Sequence, residues 1–148
     1  MREILFRAKT VKNVHWIWGD LFHAGTEPSD GEFAISYWDD EDGWMNENVQ
    51  PHTIGQFTGL TDKNGKRIFE GDIVECVSWN EYFSKDGKPM EPFRRKMFVD
   101  YRKGGFKMVE PMPEPMKDNE WDIICNGDIV IIGNIYDDPQ LIDMKRLG

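Results

Sequence analysis

The sequence predicts a mainly β protein in which an N-terminal β-rich portion, residues 1–53, packs on a C-terminal β portion, residues 54–148, either as two subdomains or as one folding unit. Three observations lead to this prediction. Short runs of β-branched and aromatic residues recur along the chain, separated by glycine, asparagine, aspartate and proline. Residues 54–74 read IGQFTGLTDKNGKRIFEGDIV, a block dense in turn residues. Helix-start signals are clear only near the C-terminus, where a short helix is expected.

The composition favours a folded protein in the cytoplasm. A chain of 148 residues can bury a substantial core. Apolar residues make up 39% and aromatic residues 13%, which argues against a disordered chain. No apolar run approaches the roughly 20 residues that span a bilayer, and the N-terminus lacks the pattern of a signal peptide. We therefore expect a cytoplasmic protein with no membrane contact.

The N-terminal portion is predicted to form short strands over residues 3–7, 14–18 and 33–38. Gly19 and Asp20 are predicted to close the second strand with a turn. Trp16 and Trp18 are two residues apart, so they share one face of that strand. Pro51 ends this portion because proline cannot donate to a sheet ladder.

The block at 54–74 predicts an extended segment, a hairpin turn and a buried strand. Asp62, Lys63, Asn64 and Gly65 form a strong hairpin signal, since asparagine and glycine tolerate positive φ. A tight turn at Gly71 then leads into a strand over 73–79. The apolar residues of that strand do not alternate strictly, which indicates either burial on both faces or a bulge.

The remaining elements follow in order. We expect a polar loop over 80–92, a hairpin of strands 96–101 and 106–109 around Gly104 and Gly105, a proline-rich connector over 110–115, a strand or helical turn over 121–125, and a central strand over 128–136. In the short C-terminal helix, Asp138 is the predicted cap and Pro139 the first residue, with Leu141, Ile142 and Met144 as its apolar side.

The net charge of −9 is unevenly distributed. The acidic segment, residues 24–61, contains eight acids and no Lys or Arg: Glu27, Asp30, Glu32, Asp39, Asp40, Glu41, Asp42 and Glu47. The basic segment, residues 94–107, contains six bases and one acid, Asp100: Arg94, Arg95, Lys96, Arg102, Lys103 and Lys107. Opposed charge suggests electrostatic complementarity within the chain or between copies. The overall negative charge argues against non-specific binding to duplex nucleic acid.

No residue pattern indicates catalysis, a cofactor or a metal site. Cys76 and Cys125 each lie in an apolar stretch and are predicted to be buried thiols, although a disulfide between them is the alternative. The three histidines are far apart and lack metal-ligand spacing. The acidic turn at 39–42 is interpreted as solvated, with weak calcium capture as the alternative. We expect a protein that is not an enzyme, with no catalytic, cofactor-binding or metal-binding residues.

Six tryptophans are many for this length: Trp16, Trp18, Trp38, Trp44, Trp79 and Trp121. Core and inter-subdomain packing is the first interpretation, because each indole buries a large area. The functional alternative is an exposed platform for a partner peptide or unpaired bases. Trp44, beside the acidic turn, is the candidate for exposure.

Two ordered motifs resemble a known family. The block at 54–74, followed by IGNIYDDPQL at 132–141, is similar to the YopX family of phage and prophage proteins. REILFR at 2–7 and WGDL at 18–21 also fit that family's opening. The resemblance implies a mostly β fold whose C-terminal part is an SH3-like barrel, and a phage or prophage gene expressed in a bacterial cytoplasm. It supplies no catalytic residues.

The preferred hypothesis is a non-enzymatic protein that acts by protein–protein contact, with a host or phage protein as partner, and that self-associates as a homo-oligomer. The first alternative is nucleic-acid binding through the basic segment, Arg94 to Lys107. The second is an acidic DNA mimic in which residues 27–47 occupy a host DNA-binding protein.

Overall fold

The computed structural model describes residues 2–78, 87, 93–123 and 128–142. The chain divides into two compact units, Met1–Gly59 and Leu60–Gly148. The sequence placed this boundary after residue 53. Trp79, Cys125, Met144 and the loop predicted over 80–92, apart from Gly87, lie outside the described residues.

The N-terminal unit is an antiparallel sheet. Its strands are β1 (Phe6–Lys9), β2 (Trp16–His23), β3 (Phe33–Asp39), β4 (Gly43–Val49) and β5 (Gly55–Thr61), whose last two residues belong to the second unit. The sheet order is β4-β3-β2-β1-β5. Two short 3₁₀ turns, Pro28–Asp30 and Pro51–Thr53, lie in the connections.

One face of this sheet forms the core of the N-terminal unit. Ala8, Ile17, Ile35 and Val49 are buried together there. Because successive side chains of a strand point to opposite faces, the residues between them form an outer face. Trp16 and Trp18 both lie on that outer face, opposite Lys9 and Arg7 of β1, which confirms their predicted placement.

The predicted turn at Gly19 and Asp20 is wrong, because both residues lie inside β2. A Cβ atom at position 19 would stand 2.0 Å from the carbonyl oxygen of Ser36. Glycine at this position therefore allows β3 to approach β2, and it does not reverse the chain.

The second unit contains a five-stranded antiparallel sheet. Its strands are β7 (Asp72–Ser78), β8 (Phe93–Arg102), β9 (Gly105–Glu110), β10 (Asn119–Asp122) and β11 (Ile129–Asn134), in the order β10-β9-β8-β7-β11. Short strand β6 (Arg67–Phe69) precedes them. Ile73 and Val74 are both fully buried and belong to different core clusters. This confirms that β7 is covered on both faces.

Two of the predicted hairpin turns are present. Lys103 and Gly104 join β8 to β9 with φ of 54° and 80°. Both central residues have positive φ, as a type I′ turn requires. The turn after β5 is closed by Asp62, whose N–H donates to the Lys66 carbonyl oxygen at 2.8 Å, and Gly65 has φ of 80°.

The two motifs that carry the family resemblance contact each other in the second unit. Gly71 has φ of 87°, and a Cβ there would stand 2.9 Å from the Tyr136 ring. The N–H of Ile135 donates to the Gly71 carbonyl oxygen at 2.9 Å. Gly71 therefore combines a left-handed turn with a close ring contact, and only glycine satisfies both.

The described strands of the second unit form no closed barrel, since β10 and β11 stand at opposite edges of the sheet. The predicted SH3-like barrel is therefore not confirmed. Among the described strands, β11, which was expected to be central, pairs with β7 alone and lies at the edge of the sheet. Of the segment left open between strand and helical turn, 121–125, Trp121 and Asp122 are the last two residues of strand β10.

The predicted C-terminal helix is likewise not confirmed. At the position expected for the helix, the described residues form a 3₁₀ turn, Pro139–Leu141, and Ile142 after it is extended. Asp138 makes no side-chain cap. Its Oδ2 instead accepts the N–H of Asn134 at 3.1 Å, which ties the turn back to β11. No helix among the described residues has the length and hydropathy needed to cross a membrane.

Candidate functional site

The outer face of the N-terminal sheet carries three exposed tryptophans. Trp18 on β2 is 51% exposed, Trp38 on β3 is 59% exposed and Trp44 on β4 is 66% exposed. The opposite face already supplies the apolar core of the unit. These indoles are therefore not part of that core, and we call Trp18, Trp38 and Trp44 the tryptophan face.

Sheet register brings the three indoles together. Trp38 and Trp44 are directly opposite each other, with ring centroids 5.6 Å apart and planes at 79°. Trp18 and Trp38 each lie two residues beyond the paired Asp20 and Ser36, on the same side. A groove of about 440 Å³ runs between them, with Trp16, Trp18, Asp20, Ser36, Trp38 and Trp44 among its lining residues.

One end of this face already stacks cations on an indole. The Arg7 guanidinium lies 4.9 Å from the Trp16 ring centroid, and the Lys9 ammonium lies 5.6 Å from it. Both distances fall within the range of cation–π attraction. Arg7 and Lys9 belong to β1, which lies on the far side of β2 from Trp38 and Trp44.

The other end of the face is acidic. Asp20 lines the groove and is exposed. The β3–β4 turn presents Asp40, Glu41 and Asp42 to solvent. Asp39 organises this turn, because its Oδ1 accepts the N–H groups of Glu41 and Asp42 at 2.8 and 3.0 Å. The rim beside Trp38 and Trp44 is therefore negatively charged.

On the same strands, Tyr37 and Glu47 form a short hydrogen bond. The Tyr37 hydroxyl donates to Glu47 Oε2 at 2.6 Å, and His15 Nε2 lies 3.9 Å from the same oxygen. The hydrogen bond to Glu47, with burial and the Glu47 charge, raises the pKa of Tyr37 to about 12. Phenolate at this position would lose its donor and face a carboxylate.

We expect stability to fall at alkaline pH through Tyr37. A raised pKa means that this contribution is complete below the ordinary pKa of 10 and is lost as the pH rises through about 12. The shift of the Tyr37 ring carbon signals, followed by NMR between pH 8 and 13, should give its titration. Glu47→Gln should move the midpoint back toward 10. An unchanged midpoint in that variant would contradict the assigned cause.

The basic segment lies in the second unit, where its charges are largely paired. Five of its six bases contact carboxylates: Arg94 with Glu75 at 3.0 Å, Arg95 with Glu110 at 3.1 Å, Arg102 with Asp100 at 2.9 Å and Glu120 at 3.1 Å, Lys103 with Glu120 at 3.1 Å, and Lys107 with Asp122. Three of these pairs, Arg94–Glu75, Arg95–Glu110 and Lys107–Asp122, join neighbouring strands of one sheet. The sequence-predicted basic patch is therefore compensated by acids of its own unit.

The described cysteine is not activated. Cys76 is a free, partly buried thiol that packs against the core cluster containing Val74. Burial, with the nearby Asp128 charge, raises its pKa, and Arg95 only partly offsets this. The thiolate needed for nucleophilic attack is thus disfavoured. Among the described residues, no three His, Cys, Asp or Glu side chains converge on a position for a metal ion.

The structure agrees with the predicted exposure of some tryptophans and not of others. The exposure predicted for Trp44 is confirmed, whereas the packing interpretation is wrong for Trp18 and Trp38. The spacing of two residues between Trp16 and Trp18 placed them on one face. The sequence did not indicate that β2, β3 and β4 are neighbours, so it did not show that this face continues to Trp38.

Comparisons with known proteins agree with the fold. A family model described as "YopX protein" matches residues 5–143. The crystal structure of protein EF1440 from Enterococcus faecalis is similar, with a TM-score of 0.53 and 21% sequence identity, covering 97% of this chain and 100% of that chain. At this identity the likeness shows a shared fold. No curated protein matches the chain.

Proposed function

This chain belongs to the YopX protein family, and we propose that it is a non-enzymatic protein of phage or prophage origin that binds another protein in the bacterial cytoplasm. The tryptophan face is the contact surface. Exposed apolar patches with polar rims are typical of protein interaction sites. Tryptophan is also the residue type most enriched among those that dominate binding energy.

The observation that carries this proposal is the position of Trp18, Trp38 and Trp44 on one face while a different face buries the core. An indole left on the surface of a folded unit contributes little to its stability, but it contributes strongly once a partner covers it. The polar lining of the groove includes Asp20 and Ser36. A groove of indoles with few polar groups is suited to recognition.

Charge pairing in the second unit supports protein binding over the nucleic-acid alternative. Phosphate neutralisation requires free Lys and Arg side chains. In the basic segment, the side chains of Arg94, Arg95, Arg102, Lys103 and Lys107 already contact carboxylates. The same pairing weakens the opposed-charge argument for self-association. A DNA mimic would use the acids of residues 27–47 and not the indoles. Variants of the acids and variants of the indoles therefore distinguish the DNA mimic from protein binding by the tryptophan face.

We expect the partner to be captured from bacterial lysate by the wild-type chain and lost by Trp38→Ala/Trp44→Ala. The matched control is Tyr101→Ala/Phe106→Ala, because Tyr101 and Phe106 form another edge-to-face aromatic pair and Tyr101 is 55% exposed. This control should retain the partner. Equal capture by both double variants would contradict the proposal. The DNA mimic is tested separately by neutralising the acids of 27–47, which should abolish capture only if those acids bind the partner.

A further inference from the structure

We propose that the groove of the tryptophan face binds an arginine or lysine side chain from a basic segment of the partner protein. This inference rests on the proposed function and names the chemistry of the partner. Three observations support it: the arrangement of the rings, the cations stacked on the neighbouring indole, and the charge of the rim.

The ring arrangement provides faces for a cation. Trp38 and Trp44 form an edge-to-face pair, with planes at 79° and centroids 5.6 Å apart, so the edge of one indole lies against the other and their remaining surfaces line the groove. Trp18 contributes a third aromatic surface to the same groove. A guanidinium or ammonium group within about 6 Å of an indole centroid is attracted by the negative face of the ring, and tryptophan is the strongest of the aromatic side chains in this interaction.

The same sheet face shows this interaction within the chain. Arg7 and Lys9 both lie over Trp16. Among the described residues, by contrast, no Lys or Arg stacks on Trp18, Trp38 or Trp44. Trp16 thus stacks with cations of its own sheet, whereas the three indoles of the tryptophan face are available to the cations of a partner.

The rim selects for positive charge. Asp20 lies in the groove, and Asp40, Glu41 and Asp42 project from the turn that joins Trp38 to Trp44. Asp40, Glu41 and Asp42 belong to the acidic segment, which has no Lys or Arg to offset them. A basic peptide would be steered toward this end of the face. Single-stranded nucleic acid also stacks on indoles, but its phosphates would meet the same carboxylates, so the charge favours the peptide.

The test uses the full chain with an end-blocked hexa-arginine peptide, and follows the indole N–H signals by NMR titration. We expect the signals of Trp38 and Trp44 to shift in the wild type. Trp44→Leu should weaken binding by about 3- to 30-fold. This substitution preserves net charge, so non-specific attraction to the acidic chain is unchanged. Tyr101→Leu, the control on the second unit, should bind within about twofold of wild type.

Several results would overturn the inference. The first is equal affinity of wild type and Trp44→Leu for the peptide. The second is tighter binding of a decathymidine than of hexa-arginine. The third is a change of the indole signals with protein concentration in the absence of peptide, which would assign the groove to a second copy of the chain. The two proposals fail separately. If hexa-arginine leaves the indoles unmoved while capture still requires Trp38 and Trp44, the cation inference fails and the proposed function stands.

Discussion

Replacing Asp62 with alanine is expected to lower the free energy of unfolding by about 3 kcal/mol. Asp62 is only 6% exposed. Its Oδ1 accepts the N–H groups of Asn64 and Lys66, each at 2.9 Å, and its Oδ2 accepts the N–H of Ile131 at 3.1 Å. Alanine would leave these donors without their acceptor. Urea denaturation at pH 7, followed by circular dichroism, measures the loss.

Asp39→Ala is the matched control for Asp62→Ala. Asp39 also accepts two backbone N–H groups, from Glu41 and Asp42, but its turn is exposed and water can replace the carboxylate. We expect a change within about 0.5 kcal/mol. Equal losses in the two variants would contradict the role assigned to the buried bridge between Asp62 and Ile131.

The Asp62 carboxylate also predicts that the stability of the protein falls at acidic pH. Burial alone would raise the pKa of this carboxyl, but the donors Ile131, Lys66 and Asn64 outweigh burial and hold it below the ordinary 3.8. The associated stability is therefore present above about pH 4 and is lost as the pH falls through the lowered pKa. Asp62→Asn should be less sensitive to acid than the wild type below pH 4.

Gly19→Ala is the second substitution with a large expected effect, about 3 kcal/mol of destabilisation. Its Cβ would stand 2.0 Å from the Ser36 carbonyl oxygen and 3.0 Å from the side chain of Ile35. The first contact is with backbone, so β2 and β3 must separate to relieve it. That separation would also move Trp18 away from Trp38 and should shift the tryptophan fluorescence, alongside a lower thermal midpoint.

Gly105→Ala is the control for the glycine substitution. A Cβ at position 105 meets nothing within 4 Å, and its φ is not in the left-handed region. The change should be neutral or slightly stabilising, because alanine restricts the unfolded chain more than glycine does. Similar destabilisation by both alanines would argue against a close approach at Gly19.

Local patterns in the sequence predicted the strands and turns well where short-range chemistry determines them. The turn at 62–65 and the hairpin at Gly104 follow from residues that tolerate positive φ. The second role of Asp62 was not predictable in this way. Its Oδ2 bonds Ile131, 69 positions along the chain, and no local pattern reports such a partner. The edge position of β11 was missed for the same reason, since pairing depends on the whole sheet.

The candidate site shows the same limit. The spacing of Trp16 and Trp18 predicts a shared face, and the acidic turn beside Trp44 indicated exposure. Trp18, Trp38 and Trp44 line one groove because β3 pairs with both β2 and β4. Gly19 was interpreted as a turn residue because glycine followed by aspartate often ends a strand. Its actual role, a close approach to Ser36, becomes visible only when the neighbouring strand is placed.

A partner protein that binds the tryptophan face should shield its indoles from solvent. Covalent footprinting of aromatic side chains, read by mass spectrometry with and without the captured partner, measures this shielding. Trp38 and Trp44 should react readily in the free chain and become protected in the complex, while Tyr101 reacts equally in both. Unchanged reactivity at Trp38 and Trp44 in the complex, or protection centred on Tyr101, would contradict the claim.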